Sequence, residues 1–213
     1  MPTYLAAYNL YSGNYDLDVT VAEDVTAAEI LEQTAFLDAI MSTSVMQQAH
    51  QFLANQGLVS SDVVVFQQFL SDLWFTQYAR YVAGVEASSG FEHVFRGEIY
   101  NGTVQGMHSW SRMYIEEQDG DMNYLGYIRI ADAGTNIILE MPLDFYGATK
   151  AADQVVLGAS PELEIALATI CFLARPNGDC PLQAADGAAY TLTTYPWNYQ
   201  GVDYMGSAHA VFV

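Results

Sequence analysis

Basic residues are scarce in this sequence. Its 213 residues include 25 Asp and Glu but only six Lys and Arg, for a formal net charge of −19. Five of the six are arginine, so Lys150 is the only lysine. Taken alone, such a field repels nucleic acid and favours cations or basic partners. Most of it reads as a solubilising surface suited to a salty or secreted setting, whereas a lysine kept alone points to a specific role. Two cysteines exclude a disulfide framework and a four-cysteine zinc site. Cys171 lies in an apolar run, so a buried free thiol is preferred to a Cys171–Cys180 bridge. No apolar run approaches the ~20 residues that span a bilayer. The opening Met-Pro-Thr-Tyr-Leu has no basic segment ahead of an apolar one, so no secretion signal is expected, and a cytoplasmic setting is favoured over a secreted or periplasmic one. The spacings His-x-Glu-x-x-Cys and His-Glu-x-x-His, an EF-hand loop, a Gly-rich phosphate loop and Gly-x-Ser-x-Gly are all missing, which removes most hydrolase and nucleotide-binding classes.

What is present is a core. Hydrophobic residues make up 52% and charged residues 15%, a balance that excludes a disordered chain. The first third reads as helical. Thr26-Ala-Ala-Glu29 has capping-box spacing, and Ile30, Phe36, Leu37 and Ile40 follow at helical intervals. A second helix after Ser44 places Val45, Met46, Ala49, Phe52 and Leu53 on one side and ends at Gly57. A third begins near Ser61 or Asp62 and carries Phe66, Phe69, Leu70, Leu73 and Trp74, read as core. From Phe91 the pattern turns β-like. Asn101-Gly102 signals a two-residue type I′ hairpin. A short helix is expected over Trp110–Glu117, and strands around 124–130, 137–144, 155–157, 190–194 and 208–213. Ser160-Pro161-Glu162 starts a helix running from Leu163 to Leu173. Helices first and strands afterwards predict an α+β fold, with a helical portion over 1–88 and a β-rich portion over 89–213 joined in one unit.

Four histidines are available for chemistry: His50, His93, His108 and His209. His50 reads as solvated or capping on the second helix, and His209 as outward-facing on the last strand. A hairpin centred on 101–102 pairs residues whose numbers sum to 203. Position 95 then faces 108, and His93 and His108 become diagonal neighbours on one face, roughly 7–8 Å apart. Gly97 opposite Gly106 leaves a notch between them. Two imidazoles so placed can flank a phosphate, one as base and one as acid. Glu92, His93, Glu98 and His108 also form a carboxylate/imidazole cluster that suggests metal binding, but strand alternation sends Glu92 and His93 to opposite faces.

Several ordered motifs resemble those of the EndoU (XendoU-like) endoribonucleases. They are Ser89-Gly-Phe-Glu-His-Val-Phe-Arg-Gly-Glu98, Gly106-Met-His-Ser-Trp110, Leu157-Gly-Ala-Ser-Pro-Glu-Leu-Glu-Ile-Ala-Leu167, Cys171-Phe-Leu-Ala-Arg-Pro176 and Thr194-Tyr-Pro-Trp197. Upstream, Phe36–Met46 and Leu73–Arg80 resemble the family's helical half. The resemblance spans about residues 25 to 213. It implies cleavage of single-stranded RNA at uridylates, without water as nucleophile, by two histidines and a lysine, leaving a 2′,3′-cyclic phosphate and a 5′-hydroxyl. By motif, His93 and His108 take the histidine positions. Lys150 in Gly147-Ala-Thr-Lys150, eleven residues before Pro161, takes the lysine position. Glu92 and Glu98 match acidic positions linked to activity or manganese response, so Mn²⁺ is expected to stimulate, and no organic cofactor is implied. Thr194 and Tyr195 match the Thr-Tyr element that contacts the base, with Thr193 adjacent. Arg96, Met107, Ser109 and Phe145-Tyr146 depart from the usual residues and bear on substrate preference and metal dependence.

The chemistry suits these residue types. Imidazoles titrate near neutrality, so one can take the 2′-hydroxyl proton and the other protonate the departing oxygen. A positioned ammonium stabilises charge on the phosphate. His108 is assigned the base. The expected partner is single-stranded RNA, with neither DNA nor membrane. Because the chain is so acidic, a cationic spot of Lys150 with Arg96 and Arg112 must serve the cleft, and screening by salt or divalent ions should help approach. The rival readings are a catalytically silent RNA- or protein-binding module on the same scaffold and a metal-dependent phosphodiesterase built on the Glu/His cluster.

Overall fold

The computed structural model describes residues 3–10, 16–133, 136–184 and 187–212; Val213, the end of the last predicted strand, lies outside them. Helix α1 spans Thr3–Asn9, α2 Ala27–Met41, α3 Ser44–Asn55 and α4 Val63–Phe75. Their starts follow local chemistry. At α2 the Thr26 hydroxyl accepts from the Glu29 amide at 3.3 Å and the Glu29 carboxylate accepts from the Thr26 amide at 2.5 Å, closing the capping box. Thr43 and Asp62 cap α3 and α4 through their side-chain oxygens. The buried stripe of α2 is Glu29, Gln33, Phe36, Leu37 and Ile40. Ile30 falls one position round the helix from it and is 52% exposed, contrary to expectation. Phe52 is likewise one step off the Met46–Ala49–Leu53 stripe and lies at the surface. His50 does not cap a helix but ties α3 to the loop before α4: Nε2 meets the Ser60 carbonyl at 2.8 Å and the ring stacks on Phe66.

Next come β1 (Tyr78–Ala79) and β2 (Glu86–Ser88), paired antiparallel, and a one-turn π-helix over Glu92–Arg96. The remaining elements are β3 (Glu98–Tyr100), β4 (Thr103–Gln105), α5 (Trp110–Asp119), β5 (Met122–Tyr124), β6 (Arg129–Ala133), β7 (Asn136–Phe145), β8 (Ala148–Leu157), α6 (Pro161–Ala174), β9 (Asp179–Gln183), β10 (Ala189–Tyr199) and β11 (Val202–Val211). One sheet has the order β3-β4-β8-β7-β5, with β6 also pairing on β7; another has the order β11-β10-β9. This is the expected α+β architecture. Strand β9 and most of the β10–β11 ribbon went unread in the sequence, because their turn, Gln200-Gly201, is left-handed at both positions without being a strong turn pair.

The largest apolar cluster joins the two portions. Phe36, Leu70 and Trp74 from the helices pack with Phe91 and Phe95 beside and within the π-helix, Ile165 on α6, and Leu192 and Met205 on the β-ribbon. A second cluster, including Val104, Met107, Met113, Leu143, Phe145 and Val155, fills the space around the larger sheet and α5. The cysteines do not stay free. Cys171 on α6 and Cys180 on β9 form a disulfide, with Cα atoms 5.6 Å apart. The unread strand β9 returns over the buried face of α6, and this separation suits a bridge.

The hairpin obeys the predicted register, Glu98↔Gln105, Ile99↔Val104 and Tyr100↔Thr103, with Asn101 and Gly102 both at positive φ. The ladder stops at Glu98, however. His93 sits on the π-helix rather than on a strand, and the notch expected between Gly97 and Gly106 is filled. A Cβ on Gly106, whose φ is +62°, would stand 1.7 Å from the His93 carbonyl oxygen. The close approach lets the Met107 amide donate to His93 O at 2.9 Å and the His108 amide to Val94 O at 2.7 Å. Gly106→Ala is therefore expected to prise apart the segments bearing both histidines. Backbone strain alone at such a position costs about 1–2 kcal/mol, before the clash is relieved. A melting temperature within a degree of wild type would contradict this packing.

Candidate active site

His93 is presented by the π-helix, a distortion frequent at functional sites. Its Nδ1 lies 2.8 Å from Glu98 Oε2. The Tyr81 hydroxyl donates to the same oxygen at 2.9 Å, and Ser88 donates to Oε1 at 2.6 Å. Arg80 stands behind, donating to Ser88 Oγ at 3.1 Å and to the Gly206 carbonyl. Burial, joined by the charges of Arg80 and Lys150, pushes the His93 imidazole well below the histidine range. Burial also lifts Glu98 to about 7, against Arg80 and the two hydroxyl donors. A neutral ring and a carboxyl sharing one proton describe this contact better than a fixed ion pair.

His108 follows two consecutive left-handed residues, Gly106 and Met107, and stands just before Ser109, the N-cap of α5. A left-handed non-glycine such as Met107 is held only by its surroundings, here complete burial. His108 Nδ1 approaches Asp153 Oδ1 at 2.8 Å, too poorly aligned for a hydrogen bond. The same oxygen meets Lys150 Nζ at 2.6 Å, and that ammonium also donates to the Gly106 carbonyl. Strand alternation would send residues 150 and 153 to opposite faces. Between the pairs Met141↔Asp153 and Leu143↔Lys150 the β8 strand carries one extra residue, and this bulge turns both side chains to one side. Burial opposes ionisation of Asp153, but Lys150 and His108 outweigh it and hold the carboxyl below its ordinary range. Burial lowers His108, more than Asp153 raises it.

The His93 and His108 rings are 6.2 Å apart, and Lys150 enters from a separate strand. The expected cluster therefore forms, though by a π-helix and a tight turn rather than a continued ladder. Tyr195 is 48% exposed, beside the bulge at Gly206 of β11. Thr194 points inward and is fully buried, whereas Thr193 shares Tyr195's face and its hydroxyl donates to Asp179 at 3.1 Å. Arg96 is 5% exposed and acts on Glu116, with which Arg112 forms an ion pair. Of the two guanidiniums expected at the RNA, Arg112 is thus paired with an internal carboxylate and Arg96 is buried, its charge acting on the same group. His209, read as outward-facing, stands 4.8 Å from the His108 ring. Its alternation with apolar neighbours gave no sign that the ring stands between those of His108 and Tyr195. Asp153 carried no local signal, because a bulge is invisible in alternation.

The two glutamates expected to respond to manganese do not form a cage. The Tyr81 and Ser88 hydroxyls and the His93 ring occupy the Glu98 oxygens, and Glu92 is wholly buried with Oε1 bonded to Gln77 at 2.6 Å. No group of three His, Cys, Asp or Glu side chains among the described residues is arranged around a common ion position. These residues fit a proton-holding role instead. Burial and then the Glu92 carboxyl raise Glu23, burial and then Glu98 raise Glu92, and Glu98 reaches about 7. Each keeps its proton in the fold where the unfolded chain, at an ordinary 4.5, has lost it. Their stabilisation is complete below that value and is lost as pH rises through 7 and beyond. The depressed imidazoles of His93, His108 and His209 act in reverse, withdrawing stability as pH falls below 6.5. Glu116 and Glu164 are raised as well, so the raised carboxyls outnumber the three imidazoles and the melting temperature is expected to fall from about pH 5 towards pH 9. Calorimetry checks this, and Glu23→Gln should flatten the alkaline decline; a rise from pH 7 to 9 would contradict it.

An α+β scaffold that seats two carboxyl-backed imidazoles and one ammonium between a helical half and two sheets defines a distinct structural class. The model of the Endoribonuclease XendoU family matches residues 1–210, and the chain belongs to that family. It is 39% identical over 220 residues to the bovine uridylate-specific endoribonuclease, covering 99% of this chain and 51% of the bovine protein. To uridylate-specific endoribonuclease D of Xenopus laevis it is 36% identical over 199 residues, 92% of this chain and 63% of that protein. The solved structure of XendoU, described as a splicing-independent snoRNA-processing endoribonuclease, matches with a TM-score of 0.79 at 30% identity, over 99% of this chain and 77% of that one. The chain thus spans about half the length of the bovine relative.

Proposed function

We propose that this chain is an endoribonuclease that cleaves single-stranded RNA at uridylates by transesterification. The observation that carries the reading is the 6.2 Å separation of the His93 and His108 rings, with Lys150 anchored by the Asp153 that also backs His108. His108 takes the proton of the ribose 2′-hydroxyl. The 2′-oxygen attacks phosphorus, and the bond to the 5′-oxygen breaks as His93 supplies a proton. A 2′,3′-cyclic phosphate and a 5′-hydroxyl result. An ionised Asp153 stabilises the imidazolium forming on His108, while the Glu98–Tyr81–Ser88 group can return a proton to His93. Lys150 neutralises the charge gathering on the non-bridging oxygens. The requirement for a 2′-hydroxyl excludes DNA as substrate.

An oligonucleotide with one ribouridine in a deoxy background tests this by mass spectrometry. A cyclic phosphate is expected, and 2′-deoxyuridine at that position should abolish cleavage. A linear phosphate carrying oxygen from water would instead favour a metal-dependent phosphodiesterase, and an uncut substrate a silent binding module. With a net charge of −19, approach of RNA is opposed at low ionic strength, where the field reaches about 30 Å at 0.01 M. Moderate salt should raise activity before lowering it. Magnesium, manganese and spermidine should stimulate similarly, by screening; a requirement for manganese alone would overturn this.

A further inference from the structure

Four rings stand in a row: His93, His108, His209 and Tyr195, with centroid separations of 6.2, 4.8 and 5.7 Å. The proposed chemistry uses the first two, and the fourth matches a base-contacting motif. His209 has no role in either. It lies on β11 opposite Thr193 and shares one face of the ribbon with Thr193 and Tyr195, its ring within 22° of parallel to the Tyr195 ring.

One of its nitrogens is committed. Nδ1 lies 3.1 Å from the Ala210 carbonyl oxygen. A carbonyl can only accept, so Nδ1 carries the hydrogen. Burial, assisted by the neighbouring His108, pushes the imidazole down to about 4, so at neutral pH Nε2 is a bare lone pair. The hydrogen-bond contact that the ring makes among the described residues is the one at Nδ1. The charged and titratable groups around the ring are His108, Asp153 and Lys150, with Tyr195 stacked on it and His93 beyond His108. None of them offers the ring a hydrogen bond.

We propose that His209 reads the edge of the pyrimidine, its Nε2 accepting the N3–H of uracil. This rests on the endoribonuclease reading. With a phosphate between His93 and His108, the base of the same nucleotide extends towards the next ring in the row, which is His209; Tyr195, one ring further, is left as a stacking face. Uracil presents a donor at N3, whereas cytosine presents an acceptor there. Acceptor would oppose acceptor, and a site built around a hydrogen bond discriminates strongly against a ligand that cannot complete it.

The test compares kcat/KM on two oligonucleotides differing only in a single ribouridine or ribocytidine, for wild type, His209→Ala and His209→Asn. Wild type should prefer uridine. His209→Ala should lower the uridine-to-cytidine ratio at least about tenfold, the worth of one hydrogen bond, and His209→Asn, whose amide oxygen can accept, should recover part of it. A second readout uses wild-type protein alone: N3-methyluridine removes the donor and should be cut no better than cytidine. An unchanged ratio in His209→Ala, or efficient cleavage at N3-methyluridine, overturns this inference alone. A wild type that cleaves neither oligonucleotide overturns the endoribonuclease reading and this inference with it.

Discussion

Replacing His108 by alanine is expected to lower turnover on a uridine-containing oligonucleotide by about 10²–10⁴-fold, the worth of general acid–base catalysis. His93→Ala should lose a comparable factor, and Lys150→Ala should lose turnover with the charge that faces the phosphate. The losses should not multiply, because groups that act on one phosphate act as a unit. The two histidines can be told apart by the leaving group. A substrate whose 5′-side is an activated phenol needs no proton to depart, so it should rescue His93→Ala and leave His108→Ala slow. The opposite pattern would exchange the acid and base assignments. Near-normal turnover by Lys150→Ala on ordinary RNA would remove the lysine from the mechanism.

Asp153→Ala is expected to cost about 3–5 kcal/mol of stability, because breaking a buried pair leaves an uncompensated charge. Asp153 is fully buried, and Lys150 and His108 meet it at 2.6 and 2.8 Å. At about 2–4 °C per kcal/mol for a chain of this size, the drop in melting temperature is easily read. Turnover should fall as well, since both groups lose their common anchor. Lys150→Met combined with Asp153→Leu separates the two effects. Removing both charges should restore most of the stability and none of the activity. A single Asp153→Ala variant as stable as wild type would mean that the ammonium finds another partner.

Signals carried within a few residues were legible in the sequence. Thr26 and Glu29 close a capping box, Asn101-Gly102 sets the hairpin register residue for residue, and Pro161 opens α6. Each depends on a local hydrogen bond or a φ preference, so chain neighbours suffice. The reacting groups were legible as well, because chemistry restricts them to a few residue types: there is one lysine, and two of four histidines flank the hairpin.

What only the tertiary structure decided involves backbone irregularity or distant segments. Alternation continued from the hairpin placed His93 on a strand, but packing of Phe91 and Phe95 into the helical core winds that segment into a π-helix. The extra residue in β8 that brings Lys150 and Asp153 to one side leaves no mark in composition. Strand β9 returns Cys180 to Cys171, and the β-ribbon brings His209 beside His108, each from far along the chain. Residue types and short spacings determined which groups were available. Which of them share a proton, an anchor or a face was decided by long-range burial, because only the assembled core brings those segments together and removes the water between them.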